Sequence, residues 1–342
     1  MKISILVLLL TSCAARQPLV PRWTPLDTGS DASLRGVCVA ADGSVWISGS
    51  GGSVLRSDNQ GATWKAVGPN DTEGDYRDVE ALDAQRAYAI RITEPAQVIA
   101  TEDGGATWQV RYEADNPASF YDSICLLEGG GVLSFGDPQD GVFEVLRSTD
   151  GQSFEPVSAV ELPRPRQGEA AFAASGTCIV SYGRERAWIA TGGMAARVLR
   201  TTDGGRHWIA AETPMRQGAE TTGIYSVGFR DGSRGVVVGG DYTQPETPGQ
   251  NAAFTKDGGR TWISADVNPG GYRSAVVPIP GERGLWLAVG RAGSDLSRDG
   301  GRTWSPAEAD RGYFALAFGP EGTGYAVGAD GRAARIDWVR PD

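Results

Sequence analysis

The chain has 342 residues, 48 glycines, 10 tryptophans and a formal charge of -10. This composition suits a large all-β domain with many tight turns, and the acidic balance excludes non-specific nucleic-acid binding, which needs a basic stripe to neutralise phosphates. The single histidine, His207, excludes a His-rich zinc site and would force any Ser-His-Asp triad to use a turn; no metal and no cofactor is expected.

In chain order, Lys2 precedes the apolar run Ile3 to Leu10, which is too short to span a bilayer as a helix and reads as an export signal. The run ends in Leu10-Thr11-Ser12-Cys13, which resembles the bacterial lipoprotein box, whose Cys becomes the lipidated first residue. Residues 1–13 are therefore read as a lipoprotein signal peptide, 14–20 as a short linker and 21–342 as one domain. Ala14 after Cys13, in place of Asp, points to the outer membrane facing the periplasm, with the lipid as the only membrane attachment.

The domain repeats itself. A Ser/Thr-x-Asp/Asn turn followed by Gly and Trp recurs at 57–64 (SDNQGATW), 101–108 (TEDGGATW), 201–208 (TTDGGRHW), 255–262 (TKDGGRTW) and 297–304 (SRDGGRTW), with a shortened copy at 148–154 (STDGQSF). A period of roughly 40 to 50 residues marks a β-propeller. Aligned on these boxes, units fall at 34–67, 75–112, 119–157, 168–211, 221–265, 271–307 and 312–338, which predicts seven four-stranded blades. The last unit stops at Trp338 without its outermost strand, while Pro21 to Leu26 is an orphan resembling Ala62 to Val67. The N-terminal strand is thus expected to complete the last blade and remove an exposed edge. In the boxes, glycines supply positive φ, the Asp accepts turn amides and the Trp packs between blades, which is scaffold chemistry.

Residues opening the innermost strand of each unit are expected to line the central channel on the face opposite the boxes. In register they are Arg35, Arg77, Asp122, Glu169, Tyr225, Arg273 and Phe314. Loops between the second and third strands open on the same face and bring Asp137, Asp140 and the insertion containing Asp241 and Tyr242. Arg35, Arg77 and Arg273, with Asp241 and Tyr242, make a candidate site for a carboxylate, phosphate or sulfate, since guanidinium forks bind such groups bidentately. A hydrolytic alternative uses Asp122, Glu169 and Tyr225 on an acidic or plant-derived glycan. Cys38, Cys125 and Cys178 allow at most one disulfide after Cys13; Cys125 and Cys178 fall on neighbouring units, and burial as small hydrophobes is expected.

The boxes resemble the Asp-box (BNR) repeats of sialidases, sortilin-type receptors, xyloglucanases and photosystem II stability/assembly factors. The last fits best, through Val45 to Trp64 and Arg186 to Trp208, over nearly the whole domain. The set Arg35-Gly36, Arg77-Asp78, Gly168-Glu169-Ala170, Gly239 to Tyr242 and Gly271 to Ser274 looks like an uncharacterised secreted bacterial branch of that family, whose members are often labelled oxidoreductases. The glycine-rich stretches here are propeller turns and lack the strand, glycine loop and helix of a dinucleotide site. The Arg-Ile-Pro motif of sialidases is absent before the first box. The resemblance implies an assembly-factor-like binding propeller; together with the lipoprotein box and the arginine register, the expectation is a monomeric cell-envelope protein that holds a protein or anionic partner at the Arg-lined channel.

Overall fold

The computed structural model describes residues 17–307 and 311–340, so Cys13 and the signal segment lie outside the described residues. Seven sheets follow in chain order and close a ring, the seven-bladed β-propeller expected from the repeats. Blade one shows the plan: Leu34–Val39 innermost, then Val45–Gly49, Val54–Ser57 and the outermost pair Lys65–Ala66. Its second strand is buried at every position, which is why the sequence VWISG does not alternate; blades cover both of its faces. The outermost strand faces solvent and is polar.

Neighbouring blades are held by large rings whose polar ends are spent across the gap. Trp46, fully buried, packs against Val79, Ala89 and Ile99 of blade two and donates its Nε1 hydrogen to the Asp83 carbonyl at 3.2 Å. Trp188 does the same to Gly258 at 2.9 Å. The last gap is filled by Leu34 and Ile47 against Ala315, Tyr325 and Val327.

The boxes are self-satisfied turns. In blade two the Asp103 carboxylate accepts the Thr107 amide at 2.8 Å and the Thr107 hydroxyl at 2.7 Å, while the Gly105 amide donates to Thr101 Oγ1 at 2.8 Å. Gly105 has φ +86°, and a Cβ there would lie 2.6 Å from Val67, so a larger residue would meet the previous blade. Ring closure is as the chain ends suggest: Val20–Leu26 runs antiparallel to Ala333–Val339, from Val20 opposite Val339 to Leu26 opposite Ala333.

Blade four departs from the register read in the sequence. Its innermost strand is Ile179–Tyr182, not a strand opening at Glu169. Glu169–Ala170 instead pairs with Gly192–Gly193, which touches Thr222–Phe229 of blade five and gives that sheet six strands. The segment between Ala170 and Ile179 crosses the centre of the ring. Ser175 Oγ donates to the Ser274 carbonyl in blade six at 2.7 Å, and Ser123 Oγ of blade three donates to the Gly176 carbonyl at 2.7 Å. Gly176 is required there: its φ is +67°, and a Cβ would lie 2.1 Å from Asp78 Oδ1. The channel is therefore plugged by its own chain.

Among the described residues, Cys38, Cys125 and Cys178 are unbonded. Cys125 and Cys178 are both buried in the core shared by blades three and four, and Cys38 reaches Glu80 Oε2 at 3.4 Å.

Candidate functional site

The innermost strands of blades one, two, three, five and seven each carry a β-bulge at the same point. The register skips between Leu34 and Gly36, Tyr76 and Asp78, Tyr121 and Ser123, Ile224 and Ser226, and Tyr313 and Ala315. The skipped residues are Arg35, Arg77, Asp122, Tyr225 and Phe314. A bulge leaves its extra residue unpaired and bends the strand, re-aiming that side chain. All five converge on one cup of about 480 Å³, floored by the plug residues Ala171 to Ala174 and joined by Tyr242, Tyr272 and Arg291.

The cup is aromatic on one side. Phe172 of the plug stacks on Tyr225 with ring centres 3.8 Å apart, and Tyr272 meets Tyr225 edge-on at 4.7 Å. The Tyr225 hydroxyl donates to the Thr221 carbonyl at 2.8 Å, and burial, first of all, pushes its ionisation upward. Tyr242 is 41% exposed and stands at the rim.

The other side is cationic. The Arg35 guanidinium lies 4.1 Å over the Phe314 ring, and its pKa is lowered by burial and then by the nearby Arg77 charge. Arg77 is paired with Asp75 at 2.8 Å and donates to the Ala173 carbonyl at 3.4 Å. Among the described residues, neither Arg35 nor Arg291 has a carboxylate in ion-pair contact. Asp122 does not neutralise them. It is 1% exposed and neither carboxyl oxygen has a well-formed hydrogen bond. Burial and the nearby Asp137 hold its proton well above the usual carboxylate range, against the opposing pull of the Ala173 amide and Arg77. Asp137, which accepts the Ala171 amide at 2.8 Å, is also raised, by burial. Burial thus favours the neutral form of Asp122, and the cup sets Arg35, Arg77 and Arg291 beside one further carboxyl group, Asp137.

Three residues expected in the site are elsewhere. Glu169 is not a channel residue: it is buried under Arg197, which donates from Nε to Oε1 at 2.9 Å and from Nη2 to Oε2 at 2.6 Å, with the Thr191 hydroxyl at 2.6 Å. Arg273 does not join Arg35 and Arg77, because both it and Asp295 are buried and paired within blade six. Asp241 folds its own loop, accepting the Thr243 amide at 2.9 Å and hydroxyl at 2.6 Å. Sequence reasoning missed the plug and Arg291. Their only signals are the surplus length of unit four between Glu169 and Trp188, and a charged residue directly after the closing Gly290 of a second strand.

No protein-family model matches this chain, and no curated protein sequence matches it. Solved structures do. The YCF48 protein from Cyanidioschyzon merolae aligns at 17% identity with TM-score 0.65, covering 92% of this chain and 98% of its own. YCF48 bound to D1 peptide aligns at 15% identity with TM-score 0.64, covering 92% and 96%. A GH74 xyloglucanase from Xanthomonas campestris aligns at 16% identity with TM-score 0.66, covering 93% of this chain but 55% of the enzyme. At these identities the likeness establishes the propeller fold.

Proposed function

We propose that this chain is a cell-envelope binding propeller that holds a carboxylate of a protein partner in the Arg-lined cup. The observation that carries the reading is the pair Arg35 and Arg291, two guanidinium groups in one cup with no carboxylate of their own among the described residues. Like charges held together beside buried rings are costly until an anion arrives, and Tyr242, exposed at the rim beside the packed Tyr225 and Tyr272, offers a flat surface to an extended chain. A structural neighbour bound to a peptide lends the same reading support. Lipidation of Cys13, proposed from the box before it, would tether the propeller at the outer membrane; globomycin or Cys13→Ala should leave the precursor unprocessed.

The hydrolytic alternative gains less from the geometry. Asp122 is sealed, Glu169 is locked to Arg197, and the Tyr225 hydroxyl is tied to Thr221. Titration of the protein with peptides ending in a free carboxylate or an amide is the test. Binding should favour the free carboxylate, and Arg35→Gln with Arg291→Gln should weaken it about tenfold or more, the scale of a lost charge-assisted contact. Equal binding of amidated peptides, or turnover of an acidic glycan that needs Asp122, would discard this reading.

A further inference from the structure

The box face, opposite the cup, is electrically divided. The box turns of blades four to six place Arg206, Lys256, Arg260, Arg298 and Arg302 between the Ser/Thr and the Trp, whereas those of blades one to three place no Lys or Arg there and carry Asp58, Glu102, Asp103 and Asp150. The boxes of blades four to six also carry Asp203, Asp257 and Asp299, so their five cations leave that half net positive, whereas the boxes of blades one to three are net negative.

Within the basic half lies a second cavity of about 540 Å³, between blades five and six. Arg230, Arg234, Lys256 and Arg283 wall it, over Phe254 and Trp286. Asp299 also lines it; the carboxylate accepts the Thr303 hydroxyl at 2.6 Å and the Thr303 amide at 2.8 Å, bonds that favour its charged form, so one negative charge stands among these cations. Arg234 is paired with Asp231 at 3.0 Å, but among the described residues Arg230, Arg283 and Lys256 have no carboxylate partner. With four cations set against Asp299 and the Asp231 partner of Arg234, the cavity keeps a net positive charge.

The N-terminal chain arrives at the same face. Val20 lies opposite Val339, at the box end of the closing strand, and Arg298 of the blade-six box donates to the Leu19 carbonyl. Leu19 is six residues from Cys13, so a lipid on that Cys could hold this face within about 20 Å of a bilayer, at 3.3 to 3.6 Å per extended residue.

We infer that the box face of blades four to six docks on an anionic phospholipid surface, with a lipid phosphate entering the cavity between blades five and six. The acidic half of the face is repelled, so the propeller tilts about the tether and turns its cup away from the membrane. Cationic side chains near such a surface gain from its negative potential, and the gain falls with salt. The surface is remote from the cup, so this inference and the carboxylate reading fail separately.

The experiment is co-flotation of the full chain with vesicles of phosphatidylcholine alone or with about a third phosphatidylglycerol, at low and raised salt. The signal segment carries Lys2 and the amino terminus and itself favours anionic lipid, so the readout is the preference in excess of that shown by a peptide of residues 1–16. A preference of about tenfold is expected, lost at high salt. It should also vanish in Arg230→Gln/Lys256→Gln/Arg283→Gln and persist in Arg35→Gln/Arg291→Gln. Equal partition on both vesicles overturns the inference, as does a preference that survives the triple substitution. Saturable binding of inorganic phosphate without any vesicle preference would replace membrane docking by a free-anion site.

Discussion

Arg197 grips both carboxylate oxygens of Glu169, at 2.9 and 2.6 Å, in a pocket from which both side chains are almost wholly excluded from solvent. The pair fixes the start of the plug, because Glu169 Oε2 also accepts the Arg166 amide at 2.8 Å. Removing one partner of a buried pair strands the other charge. Glu169→Gln should therefore cost about 3 to 5 kcal/mol in denaturant unfolding, and Glu169→Gln/Arg197→Met should cost less than the single change. An additive double mutant would show that the two groups are not coupled.

Deleting residues 18–28 should destabilise the ring. The strand Val20–Leu26 supplies the outer edge of blade seven, and Trp23 stacks on Tyr313 with ring centres 5.2 Å apart. Uncovering Trp23 and Leu26 contacts alone should remove about 3 kcal/mol or more, at roughly 1.5 to 3 kcal/mol per large apolar side chain. A melting temperature equal to that of the intact chain would contradict closure by this strand.

Asp122 makes stability depend on pH in the less usual direction. Its folded pKa is raised by burial, so the unfolded chain releases this proton first and stability falls as pH rises from about 4 toward the folded pKa. Asp122→Asn should match the parent near pH 4 and exceed it at pH 7. Denaturant midpoints at the two pH values measure the crossover, and a variant that is weaker at pH 7 would mean the carboxylate is charged and useful.

The box carboxylates act oppositely. Burial alone would raise Asp257, but the Thr261 hydroxyl and amide hold it at about 2, and Asp203 of the blade-four box sits at about 2 as well, as does Asp231 outside the boxes, in the turn before Gly235. Depressed values contribute stability that is full above the unfolded pKa near 4 and lost as pH falls toward 2. The parent should lose melting temperature across that window, and Asp257→Asn should lose less of it.

His207 gives one proton signal to follow. Its Nδ1 meets Asp203 and its Nε2 lies 3.1 Å from Glu161, and the Asp203 bond followed by the Glu161 charge raises its pKa above 6.5. The raised value contributes stability that is complete below pH 6.5 and disappears as pH climbs through the folded pKa. An NMR titration should place the only imidazole above 6.5, and Glu161→Gln should bring it down.

The residue string by itself determined the ring: the box period, the unalternating second strands and the orphan strand around Trp23 are local patterns, and each unit can bury its faces only against a copy of itself. It also marked the bulge positions, since Arg35, Arg77, Asp122, Tyr225 and Phe314 fall in one register. The tertiary structure alone decided which charges remain free. Glu169 and Arg273 look like channel residues until Arg197 and Asp295, more than 20 positions away, take them. Unit four likewise reads as an ordinary blade until its surplus chain crosses to Ser274, because the space it fills exists only after all seven blades have closed.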